Sequence, residues 1–321
     1  MKRFYPCFFF VLCLSCCFSA GVLAEEDVET IRPAAADEQA ITALVDSWNN
    51  LLNKHEDVSP QSLYAPEVEW YGQKFSAQQV INNEHAFLAK NTDFRQSIVS
   101  TLNIQRSDDD KDIVLVSFVK RAGLTFQHEQ NYPQEIQVTK GVQGWRIVSE
   151  TDGITLANQS KEKNTSVVRG KFDGKNKSYV WMSEADPRTG GACLPYSDCD
   201  CSLWSSNPDI TPIKITQCLI GNVETISGLD DSGRDRVIVS PEWWSSAYRI
   251  VYVFDIQQNQ WIQVMPGFTK NLNIQETATA SDLLQRDPQH PGQVKVTTAY
   301  WDTEKDDLLT KVINKKLWVL N

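Results

Sequence analysis

The hydrophobic periodicity of this chain changes along its length, and this change limits the folds available to it. Apolar residues at positions 37–53 recur at i, i+3, i+4 and i+7, which predicts an amphipathic helix with Asp37 as its N-cap. A short helix is predicted around residues 63–64, and a third begins at Ser76 and ends near residue 90. From residue 96 onward, short runs alternate apolar and polar side chains, as half-buried strands do. Helices followed by strands predict an α+β protein.

The predicted strands fall into two groups separated by a polar segment. The first group covers residues 67–71, 96–104, 112–120, 134–139 and 145–150. The second covers residues 178–182, 236–240, 249–256, 261–264, 293–300 and 316–320. Between them, the polar run NQSKEKNTS lacks periodicity and is typical of a linker. We therefore predict an α+β domain over residues 30–152, a linker over 153–166 and a mostly β domain over 167–321. The length of 321 residues also favours two domains.

The first 24 residues have the features of an export signal. A basic start precedes an apolar core at residues 8–14, and the small residues Val22 and Ala24 occupy the −3 and −1 positions of a cleavage site. The apolar run is too short for a stable membrane span. We expect residues 1–24 to be a signal peptide and the mature protein to be periplasmic or extracellular.

The net charge and the leader limit the kinds of partner that the protein can have. The chain has 31 basic and 41 acidic residues, and loss of the leader would change the net charge from −10 to −12. This balance argues against nucleic acid as a partner, because nucleic-acid binders usually carry a basic surface. The rival to a soluble exported protein is a lipid-anchored one, attached through Cys16 or Cys17. Each of these cysteines lacks one residue of a lipobox, so we expect membrane attachment only in that alternative case.

Four cysteines remain after the leader, all within 26 residues: Cys193, Cys199, Cys201 and Cys218. In an oxidising compartment an even cysteine set predicts two disulfides. A bridge between Cys199 and Cys201 would be strained. Two pairings stay open: Cys193–Cys199 with Cys201–Cys218, or Cys193–Cys201 with Cys199–Cys218. The spacing does not match the paired knuckles that zinc sites favour.

Three segments of the first half resemble the nuclear transport factor 2-like (SnoaL-like) superfamily. They are the helix that contains Trp48, the Leu63–Pro66 segment before a strand, and the closing GWRIVSETD at residues 144–152. The resemblance spans residues 37–152. It implies a curved antiparallel sheet wrapped around three helices to form a cone with an open mouth. It also implies that any small-molecule site lies inside that cone.

Two loops in the second half resemble the calcium loops of FG-GAP/VCBS-type repeats. Residues 171–178 align with 228–235, which places Asp173 and Asp230 at matching positions 57 residues apart. Calcium needs six to eight oxygen ligands. The first loop keeps only Asp173, and the second keeps Asp230 and Asp235, while Lys171, Lys175 and Arg236 stand at ligand positions. We predict two degenerate repeats that keep the turn shape through Gly174 and Gly233 without metal, and no cofactor.

The cone implies a short set of candidate catalytic residues, namely Tyr64, Glu69, Tyr71 and His85. The sequence contains no metalloprotease, nucleophile-elbow or Walker motif. His85 lies one turn after Ile81 and can face inward, although a half-buried histidine bonded to a carbonyl is the more common case. Glu69 is expected to be solvated, as most glutamates are.

The adjacent tryptophans Trp243 and Trp244 are the candidate binding residues of the second half. Neighbouring residues of a strand point to opposite sides, so we expect one indole inside the core and the other outside. Exposed tryptophan is a frequent binding anchor.

These features favour an exported, non-enzymatic binding protein whose partner is a small ligand or another protein, as for a periplasmic inhibitor or immunity protein. The alternative is an enzyme, such as a hydrolase, isomerase or dehydratase, that uses the cone pocket. A third hypothesis is a calcium-dependent envelope module.

Overall fold

A computed structural model describes residues 32–54, 58–107, 109–124, 129–160, 166–185 and 199–318. The predicted signal peptide, Cys16, Cys17 and Cys193 lie outside the described residues. The protein is α+β, as predicted. The first half contains α1 (Ala35–Lys54), α2 (Pro60–Leu63), β1 (Tyr64–Trp70), β2 (Gln73–Ser76), α3 (Ala77–Lys90), β3 (Phe94–Ile98), β4 (Asn103–Arg106), β5 (Ile113–Leu124), β6 (Gln130–Gly141), β7 (Gly144–Asp152) and α4 (Gly153–Gln159).

The strands of the first half form one seven-stranded sheet in the order β2-β1-β7-β6-β5-β3, and β4 pairs with the other end of β5. Its pairs are antiparallel except β1 with β7, which is parallel. The predicted antiparallel arrangement therefore holds for every pair of this sheet except β1 with β7. Helix α2 leads the chain into β1 at the end of the sheet where β7 begins, so Tyr64 pairs with Ile147 and Trp70 with Glu150.

Helix α1 packs its apolar side against the inner face of the sheet. Ile41, Val45 and Trp48 are fully buried there, and the Trp48 ring meets Phe118 of β5 edge to face at 5.8 Å. The predicted N-cap is wrong, since the helix begins two residues earlier. Asp37 lies in its first turn and pairs with Lys140 Nζ at 2.6 Å, which ties the start of the helix to β6.

Helix α3 is bounded by a capping box. The Ser76 hydroxyl accepts a hydrogen bond from the backbone of Gln79, whose side chain accepts one from the backbone of Ser76. The buried side of α3 contains Val80, Ile81 and Leu88, together with one acidic residue, Glu84.

Three predicted boundaries differ from the structure. Tyr64 starts β1 instead of lying in the short helix before it. The predicted strand over residues 96–104 is divided into β3 and β4, which pair with opposite ends of β5. The predicted linker over 153–166 begins with α4, because the Asp152 carboxylate accepts a hydrogen bond from the backbone of Thr155 and caps a helix there.

The second half is strand-rich. It contains β8 (Val167–Gly170), β9 (Ser178–Ala185), β10 (Asp200–Ser205), β11 (Ile213–Thr216), β12 (Ile220–Ile226), β13 (Arg236–Glu242), β14 (Tyr248–Gln257), β15 (Gln260–Gln263), β16 (Phe268–Asn271), α5 (Leu272–Gln275), α6 (Ala280–Leu283), β17 (Leu284–Arg286), β18 (Gln293–Asp302) and β19 (Asp307–Lys316). Strands β11-β10-β9-β8 form one sheet, β12-β13-β14-β15 with β16 a second, and β17-β18-β19 a third.

The two halves meet through an apolar cluster and backbone hydrogen bonds. Val119 of β5 and Ile154 of α4 pack with Trp181 and Trp204, whose rings stack at 6.5 Å. The buried Asn131 donates its backbone N–H to the carbonyl of Ser206 at 2.9 Å. None of the described helices is long and apolar enough to cross a membrane.

Candidate functional site

A cavity of about 220 Å3 opens inside the cone between α1, α3 and the inner face of the sheet. Its walls combine apolar and ionisable side chains: Leu52, Trp70, Tyr71, Glu84, Phe87, Phe94, Gln96, Lys120 and Glu150. Phe87 and Phe94 meet edge to face at 5.0 Å, and Phe87 is 43% exposed, so this pair lies at the mouth. The ionisable groups lie deeper, where Glu84 and Glu150 are almost fully buried.

Tyr64 lies between the two buried carboxyl groups. Its hydroxyl oxygen is 2.9 Å from Glu84 Oε1 and 2.8 Å from Glu150 Oε2. A tyrosine hydroxyl has one proton and can donate to only one of these oxygens. The other contact is a hydrogen bond only when that carboxyl is protonated and donates to the hydroxyl. The geometry therefore requires one proton on the pair of glutamates.

Glu84 is the glutamate that holds this proton. Burial raises the pKa of its carboxyl to about 8, and the negative charge of Glu150 adds to the shift. Burial also raises the pKa of Glu150, but the Lys120 charge and hydrogen bonds from Tyr64 and Trp48 oppose that rise. A protonated Glu84 then donates to Tyr64, and Tyr64 donates to Glu150 Oε2, which also accepts from Trp48 Nε1.

Lys120 supplies the positive charge of the cavity. Its Nζ lies 3.3 Å from the Tyr71 hydroxyl and 5.6 Å from the centre of the Trp48 ring. Burial lowers the pKa of this ammonium, while Glu150, Asp152 and Glu84 favour its charged form. A hairpin turn holds Tyr71 in place: it and Gly72 have φ values of 48° and 76°, as a type I′ turn requires.

Three polar positions of the cavity lack a protein partner. The Glu84 Oε2 atom and both polar atoms of the Gln96 side chain are buried without a hydrogen bond among the described residues. Gln96 is only 5% exposed. Leaving a buried polar atom unpaired costs about 1–3 kcal/mol. A molecule in the cavity can restore these hydrogen bonds, since the Gln96 amide offers it both a donor and an acceptor.

Of the four predicted cone residues, the structure brings two into the cavity region. Tyr64 links the glutamates, and Tyr71 lines the wall. His85 is half-buried beside Glu84 and does not line the cavity, because the apolar stripe of α3 places position 84 inward. Glu69 is exposed on β1, since alternation along that strand buries Val68 and turns its neighbours outward.

Sequence reasoning missed Glu84, Gln96, Lys120 and Glu150. Glu84 interrupts the stripe that runs from Val80 to Leu88, which is the signal that could have revealed it. Lys120 continues the inward series of alternating positions on β5 after Val116 and Phe118. Glu150 gives no such signal, because a register shift in the β6–β7 pairing moves it off the simple alternation from Trp145 and Ile147.

The two calcium-like loops are closed by the protein's own groups. Asp173 accepts hydrogen bonds from the backbone of Lys175 and Asn176. In the second loop the guanidinium of Arg236, which is fully buried, donates to Asp230 Oδ2 at 2.7 Å and faces Asp255 at 3.2 Å.

The loops also contact each other. Asp235 Oδ2 accepts from the backbone N–H of Lys171 at 2.6 Å, and the Asp235 N–H donates to the Lys171 carbonyl. Gly174 and Gly233 both have positive φ, as the turn shape requires. No cluster of three metal-ligating side chains occurs among the described residues.

The predicted opposition of Trp243 and Trp244 is wrong. Both indoles are half-buried, and their rings meet edge to face at 5.8 Å. Strand β13 ends at Glu242, and Trp244 adopts a left-handed φ of 43° in the turn that follows, so strand alternation does not apply.

One of the two open disulfide pairings is present in part. Cys201 and Cys218 form a bridge that joins β10 to the segment after β11. Cys199 is also disulfide-bonded. The pairing of Cys201 with Cys193 is therefore wrong.

Comparisons with known proteins find solved structures that are similar to part of the chain. No protein-family model matches the chain, and no curated protein does. A solved structure of an uncharacterised Caulobacter vibrioides protein with a cystatin-like fold shows 15% identity and a TM-score of 0.31, over 39% of this chain and 96% of that one. A Nostoc punctiforme domain with a cystatin-like fold shows 17% identity and a TM-score of 0.31, over 37% and 78%.

A Bdellovibrio bacteriovorus structure shows 16% identity and a TM-score of 0.29 over 36% of this chain, which spans 39% of that protein's length. The comparisons give no support to the FG-GAP resemblance of the second half.

Proposed function

We propose that the protein is a binding protein that holds a small organic molecule inside its N-terminal cone. The observation that carries the proposal is the set of unpaired buried atoms on Glu84 and Gln96, which line a cavity of about 220 Å3. A chain with no use for the cavity would gain stability by replacing these groups with apolar ones.

The cavity limits the ligand in size and charge. A volume of 220 Å3 equals about seven waters at roughly 30 Å3 each, so the ligand is smaller than a typical drug. Glu84 is uncharged at neutral pH, and Lys120 and Glu150 each favour the charged form of the other. We infer an uncharged ligand that carries both a donor and an acceptor, with an apolar part against Phe87 and Phe94.

Ligand-observed NMR with a library of small neutral molecules tests this proposal. Molecules that bind the wild type should lose binding to Gln96→Leu, which removes the free amide without removing a protein hydrogen bond. They should still bind Glu69→Gln, which alters an exposed carboxyl on the other side of β1. Hits that bind Gln96→Leu unchanged would contradict a cone site.

An acid–base enzyme is the second candidate function, favoured by the Glu84–Tyr64–Glu150 arrangement. A neutral carboxyl with a pKa near 8 is suited to donate a proton at neutral pH. Glu150 lines the same cavity, and its charged form, which Lys120 favours, can accept one. This pair suits an isomerase or dehydratase, in which a proton leaves a carbon while another reaches an oxygen.

Exchange of carbon-bound protons in deuterated water distinguishes turnover from binding. For ketone ligands found by NMR, the enzyme candidate predicts exchange that falls by about 10²-fold or more in Glu84→Gln and Glu150→Gln. Glu69→Gln should exchange at the wild-type rate. Ligand binding without exchange of carbon-bound protons would contradict the enzyme candidate and leave the binding function in place.

Export and family membership belong to the same proposal. Support for export comes from the leader-like residues 1–24 and from a disulfide, which persists in oxidising compartments. Support for a nuclear transport factor 2-like cone comes from α1, α3 and the sheet that encloses them. An inhibitor or immunity role toward a protein partner stays a prediction.

A further inference from the structure

A second, larger cavity lies between the two halves. It has a volume of about 640 Å3, and its walls come from β4, β5 and β6 on one side and from β9 and β10 on the other. It is separate from the cone cavity because β5 divides them: Ser117 and Val119 line the cleft, whereas Lys120 lines the cone. A volume in this range is typical of sites for ligands of drug size.

Each side of the cleft presents a buried polar atom without a partner. Asn103 of β4 is 5% exposed, and its Oδ1 accepts no hydrogen bond from the described residues. Trp181 of β9 is 2% exposed, and its Nε1 donates none to them. One half thus offers an acceptor and the other a donor. Unpaired buried polar groups in a native structure need an explanation, and a ligand that spans the cleft would supply one for both.

Apart from Glu135, the remaining lining is uncharged, and it is rich in hydroxyl groups. Side chains of this kind are Ser100, Thr101, Ser117, Ser183 and Ser202. Among the described lining residues, Glu135 is the one ionisable side chain. A phosphate or carboxylate ligand would find no cation here to offset its loss of hydration. The apolar part of the wall, which includes Met182 and the exposed Ile220, suits a ligand with an apolar face.

We propose that this cleft binds a neutral oligosaccharide. Sugar hydroxyls both donate and accept, so one ligand can satisfy Asn103 Oδ1 and Trp181 Nε1 together. The C–H faces of sugar rings can pack on Met182 and Ile220.

Calorimetric titration of the full mature chain with maltotriose, cellotriose and tri-N-acetylchitotriose tests the proposal. At about 10 mM of each sugar, dissociation constants into the millimolar range are measurable. We expect calorimetry to detect binding of at least one trisaccharide. In NMR spectra of the same mixture, the indole N–H resonance of Trp181 should shift, and its loss in Trp181→Phe assigns it. Because the ligand is neutral, binding should be the same at low and high salt.

Two matched variants locate the binding. Asn103→Leu should weaken it about tenfold, the effect of losing one buried hydrogen bond. This variant should fold normally, since the Asn103 Oδ1 atom has no protein partner to lose. Gln96→Leu, which tests the cone, should bind the trisaccharide as the wild type does.

Three outcomes would overturn the proposal: no trisaccharide binds, Gln96→Leu weakens binding as much as Asn103→Leu, or a neutral acetylated pentapeptide binds where the sugars do not. Of these outcomes, only weakened binding by Gln96→Leu concerns the cone proposal. The other two leave that proposal unaffected.

Discussion

At the scale of single residues, the cone depends on where one proton resides. Tyr64 can donate to only one glutamate, so Glu84 and Glu150 cannot both be ionised without losing a hydrogen bond. The positive charge of Lys120 favours the ionised form of Glu150, so the proton stays on Glu84. A carboxyl group is thereby kept neutral in a pH range where free glutamate is fully ionised.

The raised pKa of Glu84 makes stability fall as pH rises. Between pH 4.5 and about 8, the folded protein keeps a proton on Glu84 that the unfolded chain has released. The free energy of unfolding should therefore decrease over this window, by at most about 1.4 kcal/mol per pH unit from this group. Urea denaturation at several pH values should show this decrease in the wild type and not in Glu84→Gln. Parallel pH profiles for the two proteins would contradict it.

The buried Arg236 predicts a large loss of stability on substitution. Arg236→Met would leave the Asp230 and Asp255 carboxylates without their cation, at a cost of about 3–5 kcal/mol in the free energy of unfolding. The matched control is Arg286→Met, whose ion pair with Asp231 is exposed and contributes about 0–1 kcal/mol. Equal losses in the two variants would show that Arg236 does not fill the loop as described.

At the scale of secondary-structure elements, local pattern predicted where helices and strands form but not what they place in the cone. The 3.6-residue period of α1 and α3 and the alternation of β5 were readable, and Glu84 and Lys120 follow from them with hindsight. The broken β3–β4 strand, the parallel β1–β7 pair and the inward turn of Glu150 depend on long-range pairing. No local window of sequence contains that information.

The capping box of α3 should be worth a measurable amount of stability. Ser76→Ala removes the hydroxyl that pairs with Gln79 and should lower the free energy of unfolding by about 1 kcal/mol. Ser59→Ala is the matched control, since Ser59 precedes α2 without a side-chain cap bond. Thermal and urea unfolding should separate the two variants. Comparable effects would mean that the cap does not hold α3 in place.

At the scale of the whole molecule, the two halves share a buried junction. Strand β5 contributes to both sites, with Val119 in the junction and Lys120 in the cone. Trp181 and Trp204 stack against this strand from the second half. We expect the halves to unfold together because the junction buries apolar side chains from both of them.

Loss of the junction should separate the halves. Trp204→Ala removes a side chain that is 8% exposed and should cost about 3–5 kcal/mol, with one thermal transition becoming two. Trp301→Ala, at a position 52% exposed, should keep a single transition within about 0.5 kcal/mol of wild type. Calorimetry distinguishes these results. A single unchanged transition in Trp204→Ala would contradict a stabilising junction.

The most direct test of the cone is the ionisation of Glu84 itself. Carbon-13 NMR of the glutamate carboxyl groups, with the Glu84 signal assigned by its loss in Glu84→Gln, follows this group through a pH titration. The structure predicts a midpoint of about 8. A midpoint near 4.5, the ordinary value for glutamate, would show that Glu84 is ionised at neutral pH and that the cone does not hold the proton described here.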